Sequence, residues 1–376
     1  MNIEQIFKQN GLEGLLTNPV IAEEIMKAGF GSPSTGDVHV DAILTNISLA
    51  FMQDMSNFVA RRAFPEVSVS KQSDVYFTYP RGEFNRDQME ERAPGTESAG
   101  ANYRLATQGY RCRVYALHKN LDDQTRSNVD SPLQLDRETT MFLTLKAMLN
   151  QEIDWVGRYM GGTGLGFSAA PGGTWTFAAD GVAAGATARA SLDFTDGANN
   201  NVLQWSVDGS SPIENIRDAK RAMLQETGFE PNVLVMGRSV ADILKDHPDL
   251  IDRIDRGQTS GAAQMTMEGI RELFELDEIL VSNAIQNTGK LGAAANHSFI
   301  AGDNALLLYR PPAAGLMTPA AGYTFLWSGF VGANNGGLRI KNFRIETHES
   351  DRIEAQVAYD HNRVAADLGL YWNDIV

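Results

Sequence analysis

A single cysteine, Cys112, stands among 376 residues, which excludes an internal disulfide and a cysteine-based zinc site. No apolar run approaches the ~20 residues that span a bilayer. The opening residues Met1-Asn2-Ile3-Glu4-Gln5 have no basic region and no apolar core, so no secretory signal and a cytoplasmic place of synthesis are expected. Positive charge is scarce: 32 Lys and Arg face 47 Asp and Glu, a net charge of −15. The first forty residues hold only Lys8 and Lys27 against Glu4, Glu13, Glu23, Glu24 and Asp37. A chain that grips nucleic acid carries a basic face or tail, so any DNA would meet this one as an inert wall. The six histidines are scattered, none paired at i, i+3 or i, i+4, and no metal site is expected. The remainder is ordinary, with 43% hydrophobic and 21% charged residues, enough for one large or two modest domains.

What is present reads as an ordered series of elements. Residues 1–40 suggest an arm, with a helix from Thr17-Asn18-Pro19 to about Lys27 and a Gly/Ser/Pro stretch after it. Leu44, Ile47, Phe51, Met55 and Phe58, spaced by three and four, predict a helix over 41–62 that Phe64-Pro65 ends. Residues 66–119 alternate as two strand-like arms (Val67, Val69, Val75, Phe77, Tyr79; then Tyr103, Leu105, Tyr110, Cys112, Val114) around a charged tip. Such a hairpin would be roughly 40–50 Å long at 3.3 Å per residue. A two-stranded ribbon of that length needs another surface to lie on.

Ser131-Pro132-Leu133-Gln134 predicts a capped helix start, and Phe142, Leu145, Leu149, Ile153, Val156 and Met160 predict a rod that Gly161-Gly162 ends. Its 29 residues give a length of roughly 43 Å. Residues 161–210 suggest short strands and loops around Trp175, Phe177, Phe194 and Trp205. A second capping box, Ser211-Pro212-Ile213-Glu214, predicts a helix to about Glu226 with Ile213, Ile216, Ala219 and Met223 inward. Further on are a strand at Asn232–Met236, a helix over Val240–Asp255 broken at Pro248, and a helix at Met267–Phe274. Glu278–Val281 and Phe299–Ala301 read as strands of one sheet, and the tail from Leu338 alternates as strands again.

Two motifs suggest enzymes. Gly237-Arg238-Ser239-Val240-Ala241 follows a strand and opens a helix, nearly the nucleophile elbow of an α/β-hydrolase, with His297, His348 and His361 as candidate bases. Its last glycine is missing, and the plain reading makes Gly237 a turn and Ser239 a helix cap. Gly161-Gly162-Thr163-Gly164-Leu165-Gly166 follows a helix and lacks the lysine of a phosphate loop. His247 before Pro248 reads as a helix-end residue, and Cys112 as a packed thiol. No catalytic residue, cofactor or metal is assigned. The hairpin tip carries Arg81, Arg86, Arg92 and Arg104 among Glu83, Asp87, Glu90, Glu91 and Glu97, with no lysine. Arginine's planar fork suits interface pairing, so Arg81, Arg86, Asp87, Glu90, Glu91, Arg92 and Arg104 are read as an inter-subunit surface.

The order of arm, long hairpin, rod helix, compact α/β insertion and closing strands resembles the HK97-fold major capsid proteins of tailed phages. Val67-Ser68-Val69-Ser70-Lys71-Gln72-Ser73 is similar to that family's outgoing loop strand, and Arg92-Ala93-Pro94-Gly95-Thr96 to its loop tip. Pro231 to Gly237, Leu244-Lys245-Asp246-His247-Pro248 and Asp252-Arg253-Ile254 resemble its passage from peripheral to axial domain. The resemblance implies an α+β fold: N-arm 1–40, lead-in helix 41–65, extended loop 66–119, and P-domain 120–230 with spine helix 131–160. An A-domain at 231–336 and return strands at 337–376 would complete it. It implies a shell of many copies enclosing double-stranded DNA, a virion location, and scaffold, portal and decoration proteins as partners, with no membrane. An encapsulin-like compartment protein is the sibling reading and a hydrolase using Ser239 the reading of another class. Crosslinking members use a loop lysine. Here Lys71, the only lysine between Lys27 and Lys119, sits at the loop base, so an assembly without covalent links is expected.

Overall fold

Two mixed sheets bridged by one long helix position every other element. The computed structural model describes residues 52–129, 133–161, 175–183, 201–255, 265–290, 292–315, 318–331 and 337–376. Elements are numbered in chain order. The first sheet runs β1 (Glu66–Val69), β12 (Gly322–Trp327), β14 (Ser350–Arg363), β13 (Leu338–Ile345), with β4 (Arg113–Asp122) also paired to β14. β1 is parallel to β12 and the other pairings are antiparallel. The second sheet runs β6 (Asn201–Leu203), β5 (Phe177–Val182), β15 (Gly369–Asn373), β11 (Ala305–Leu308), β7 (Val233–Gly237), β8 (Glu278–Ser282). Two hairpins stand apart: β2 (Ser73–Thr78) with β3 (Ala106–Arg111), and β9 (Ile285–Asn287) with β10 (His297–Phe299).

The helices are α1 (Ala60–Ala63), α2 (Arg81–Phe84), α3 (Asp123–Ser127), α4 (Leu135–Tyr159), α5 (Pro212–Thr227), α6 (Arg238–Asp246), α7 (Pro248–Asp255), α8 (Met267–Leu273) and α9 (Ser328–Val331). The second sheet is covered on both faces, which is why β7 and β11 read as unbroken apolar runs. Leu234, Met236, Leu307 and Trp372 face α5 and α6 through Ile216, Met223, Val240 and Leu244. Val233, Val235, Leu306 and Tyr371 face α4 through Trp155, Val156 and Tyr159. Gly237 ends β7 where a Cβ would lie 1.8 Å from the Gly302 carbonyl oxygen, so only glycine fits that turn.

Several expectations are met closely. α5 buries Ile213, Ile216, Ala219 and Met223, and Pro248 separates α6 from α7. Gly161 follows α4 in a left-handed conformation, φ 64°, as a helix terminator should.

Other expectations are corrected. The lead-in segment from Met52 to Pro65 is no continuous helix. A three-residue turn at Met55–Asn57 is capped by Asp54, Phe58 is extended, and α1 has four residues. Phe58, Val59, Ala63 and Phe64 turn in on the α4 core instead. α4 begins at Leu135 with Gln134 at its cap, later than the Ser131 start; its 25 residues span about 37 Å. Its inward face is rotated. Phe142 is exposed, while Thr139, Leu143, Gln151 and Glu152 are buried; Glu152, which the apolar spacing passes over, finds hydrogen-bond donors inside. Leu149 and Ile153 are only partly buried. Phe299 pairs with β9, not with the main sheet, and β11 takes the place expected for it.

The sheets also cut across the expected domain limits. β1 belongs to the first sheet and not to a free loop, β12 joins that sheet from within 231–336, and β15 joins the second sheet from within 337–376. The arm at 1–40, the helix to Lys27, Phe194 and the glycine run from Gly162 to Gly166 lie outside the described residues.

Candidate assembly surface

The β2–β3 hairpin leaves the body between β1 and β4. Its base is well anchored. Cys112 N–H donates to the Gln72 carbonyl at 2.8 Å, and the Gln72 side chain donates to the Cys112 carbonyl at 3.2 Å. Tyr110 stacks on Phe325 with ring centroids 4.5 Å apart, and Tyr76 lies 5.7 Å from the same ring. Below them an open apolar groove of about 750 Å³ is lined by Tyr76, Phe84, Phe229, Tyr323 and Phe325. Cys112 is fully buried there, its Sγ against the Phe325 carbonyl. Burial, then the Asp360 charge, pushes its thiol up to about 12, so it is inert.

Only six residues of each arm form the ladder, about 20 Å of ribbon and half the expected length. Beyond it come α2 and a stretch without regular pairing. Strand alternation puts Tyr76 and Thr78 toward the body and Val75 and Phe77 away from it, 60% and 61% exposed. Tyr103, Leu105, Phe84 and Met89 are also exposed, Met89 to 92%. Tyr79, Phe84 and Tyr103 gather with centroids about 6 Å apart. The tip reverses at Ala93-Pro94-Gly95-Thr96, where Thr96 N–H donates to the Ala93 carbonyl at 3.2 Å and Gly95 takes φ 85°. This is the Pro-Gly turn the sequence suggests.

The seven tip residues separate into two groups. Arg81 reaches back to the body, pairing with Glu226 of α5 at 2.9 Å and Asp367 at 3.1 Å. Arg104 pairs with Glu83 at 2.6 Å within the hairpin. Hydrogen bonds from the Arg104 backbone and side chain hold the Glu83 carboxyl below its usual range. Both arginines are therefore engaged within the subunit. Arg92 donates to the Thr96 carbonyl at 2.6 Å, and Asp87 accepts from Met89 N–H at 3.0 Å. Arg86, Asp87, Glu90, Glu91 and Arg92 make no ion pair among the described residues, and all five are exposed. Lys71 pairs with Asp74 at 3.1 Å at the hairpin base.

Ser239 does follow a buried strand, but Gly237 is the α6 cap and no side chain caps that helix. The expected cap role of Ser239 is thereby corrected. Among the described residues no histidine contacts it. His361 is buried against Thr324 Oγ1 at 2.9 Å, pushed down to about 3 by burial and then by the Arg158 charge. The serine–histidine pair the fold does make is Ser210 with His247, at 2.9 Å and buried. His247 Nδ1 accepts from Asp249 N–H at 3.1 Å, so Nε2 carries the proton and donates to Ser210 Oγ. Ser210 donates onward to the Val207 carbonyl at 2.7 Å. That direction is opposite to general-base catalysis; the pair ties the start of α5 to the α6–α7 break.

Residues 192–321 match the family model described as phage major capsid protein E. The major capsid protein of Burkholderia phage BcepMu is 32% identical over 171 residues, 44% of this chain and 51% of that protein. The major capsid protein of Pseudomonas phage JBD67 is 28% identical over 178 residues, 46% and 53%. The chain thus spans about half the length of the curated relatives it matches. Among solved structures, a phage-related protein from Bordetella bronchiseptica superposes with TM-score 0.57 at 18% identity, covering 86% of this chain and 93% of that one. The capsid structure of cyanophage P-SCSP1u gives TM-score 0.54 at 9% identity, covering 90% and 93%. The fold is the HK97-like phage capsid fold. In this capsid fold the family-model match spans β6 to β11 and takes in β6, β7, β8 and β11 of the second sheet.

Proposed function

We propose that this chain is a phage major capsid protein, a structural subunit whose many copies close into an icosahedral shell around double-stranded DNA. The single observation that carries the reading is the hairpin, which turns Val75, Phe77 and Leu105 to solvent and ends in a fully exposed Met89. Apolar groups clustered on a narrow ribbon stay out of water only against another molecule. The matched relatives, both phage major capsid proteins, support a second copy of the same chain as that molecule. In this reading β2–β3 is the extended loop, α4 with the β14 sheet the P-domain, and the β7 sheet the A-domain. Residues 1–40 are the N-arm.

The docking surface is narrower than the seven residues the sequence suggests. Arg86, Asp87, Glu90, Glu91 and Arg92 contact the neighbouring copy, while Arg81 and Arg104 brace the loop from within. The shell performs no catalysis and takes no cofactor. It is made in the bacterial cytoplasm, carried in the virion, and assembled with scaffold, portal and decoration proteins. Electron microscopy of the purified full-length chain tests the reading. Closed polyhedral particles of uniform size are expected, and a protein that stays monomeric at high concentration sinks it. Nuclease-resistant DNA inside particles from infected cells separates a virion shell from an encapsulin-like compartment.

A further inference from the structure

Glu152 lies on the inward side of α4, fully buried, in a position that neither packing nor an ion pair accounts for. Its Oε2 accepts backbone N–H groups from Val59 at 2.9 Å and Ala60 at 2.8 Å. Its Oε1 accepts from the Ser282 hydroxyl at 3.0 Å. One carboxyl therefore joins three parts of the chain: the lead-in segment, the long helix, and the last residue of β8. Seven residues upstream of Ala60 a second polar contact holds the same segment. The Gln53 side-chain amide pairs with the Ile285 backbone in both directions, donating to the carbonyl at 2.7 Å and accepting from the N–H at 2.8 Å.

Among the described residues no cation serves Glu152. On α1, Arg61 pairs with Glu66 and Arg62 with Glu278. On β8, Glu278 is shared between Arg62 and Arg310. On α4, Asp154 pairs with Arg158, which also reaches Asp360. Among the described residues, the groups that hydrogen-bond to this fully buried carboxyl are three neutral donors. An ionised carboxylate there pays desolvation with no opposite charge to offset it.

We propose that Glu152 is a proton-operated clasp that holds the lead-in segment against α4 and β8, firm when its carboxyl is protonated and loosened when it ionises. In the protonated form the carboxyl O–H donates to Ser282 and the remaining oxygen keeps both backbone N–H groups, so every polar atom is satisfied without buried charge. Burial pushes the group up to about 7, against hydrogen bonds from Ala60, Ser282 and Val59 that pull the other way. The sign follows: the closed segment holds its proton more tightly than the open one, so opening becomes easier as pH rises through about 7. The segment precedes β1 directly, so the clasp sets how the chain enters the first sheet. The proposal does not rest on the shell reading.

Hydrogen exchange of the full-length chain tests it, with rates at pH 6 and pH 8 normalised to the intrinsic exchange rate at each pH. Peptides over 53–64 should lose protection about tenfold between the two. Glu152→Gln should abolish that pH dependence and leave the segment protected. Ser282→Ala removes a donor to the ionised form and should move the transition to higher pH. Gln53→Ala should lower protection equally at both pH values. Wild-type protection that does not change with pH, or a pH response unaltered in Glu152→Gln, overturns the proposal; if Glu152→Gln fails to fold, an unmoved transition in Ser282→Ala does the same.

Discussion

Strand β11 and the β2–β3 hairpin are both short runs of apolar-rich strand, yet they have opposite fates. Every residue of β11 is buried, between β7 and β15 in the sheet and between α4 and α5–α6 across it. In the hairpin, most residues face solvent and the ladder has only its own partner. The first region stabilises the subunit and is complete in one chain. The second contributes little to the subunit, and under the proposed function its partner is a neighbouring copy. Mutations in the two regions should therefore separate folding from assembly.

The largest effect is expected at Leu307, fully buried on the α5–α6 side of β11. Leu307→Asp buries a charge with no partner, at a cost of at least about 4 kcal/mol. Insoluble protein is expected; a soluble subunit with a native circular dichroism spectrum would break the comparison. The matching change in the hairpin, Phe77→Asp, should leave the melting transition of the subunit within about 0.5 kcal/mol of wild type. Sedimentation should then show no closed particles. Particles at wild-type yield would mean that the outward stripe is merely solvated.

A medium effect concerns pH. Glu152, fully buried and raised from 4.5 to about 7, contributes stability that is lost as pH rises from about 4.5 to 7, close to 3 kcal/mol in all. His361, lowered from 6.5 to about 3, acts in the reverse sense, contributing stability that is lost as pH falls from about 6.5 toward 3. The two slopes cancel between pH 4.5 and 6.5. In Glu152→Gln the cancellation is gone, so chemical denaturation should show stability rising with pH across that window. A flat profile in the variant would sink this assignment.

The tip charges come next. Arg86→Glu with Arg92→Glu should leave the subunit folded and lower the yield or heat resistance of particles. Each exposed pair is worth only ~0–1 kcal/mol, but it recurs at every contact. Arg104→Glu should act differently, because it breaks the pair with Glu83 inside the hairpin and sets two acids together. Hydrogen exchange of residues 81–105 in the isolated subunit should rise for Arg104→Glu and not for the double variant. The smallest effect is expected at Lys71: boiling particles in detergent should release one ~41 kDa band, with or without Lys71→Arg.

Much of this was legible in the sequence because it depends on local rules. The α5 face, the break at Pro248, the Pro94-Gly95 turn and the glycine stop after α4 each follow from spacing or from one residue's backbone limits. β11 was missed although Ala305-Leu306-Leu307-Leu308 is a plain buried-strand run between Gly302-Asp303-Asn304 and Pro311-Pro312, since so short an apolar run carries no period to read. For the α4 face, counting apolar residues placed Phe142 inside and passed over Glu152. At the tip, a row of charges gives no hint that Arg81 will find Glu226, 145 positions away.

The sequence by itself determined the order of most elements and the acidic, disulfide-free character of the chain, because helix period, strand alternation and caps act within a few residues. Only the tertiary structure decided which sheet each strand joins, which of seven tip residues make ion pairs within the subunit, and that a glutamic acid on α4 meets the lead-in segment. Those outcomes depend on partners distant in sequence, and the free energy of a buried polar group is set by whichever partners the fold delivers to it.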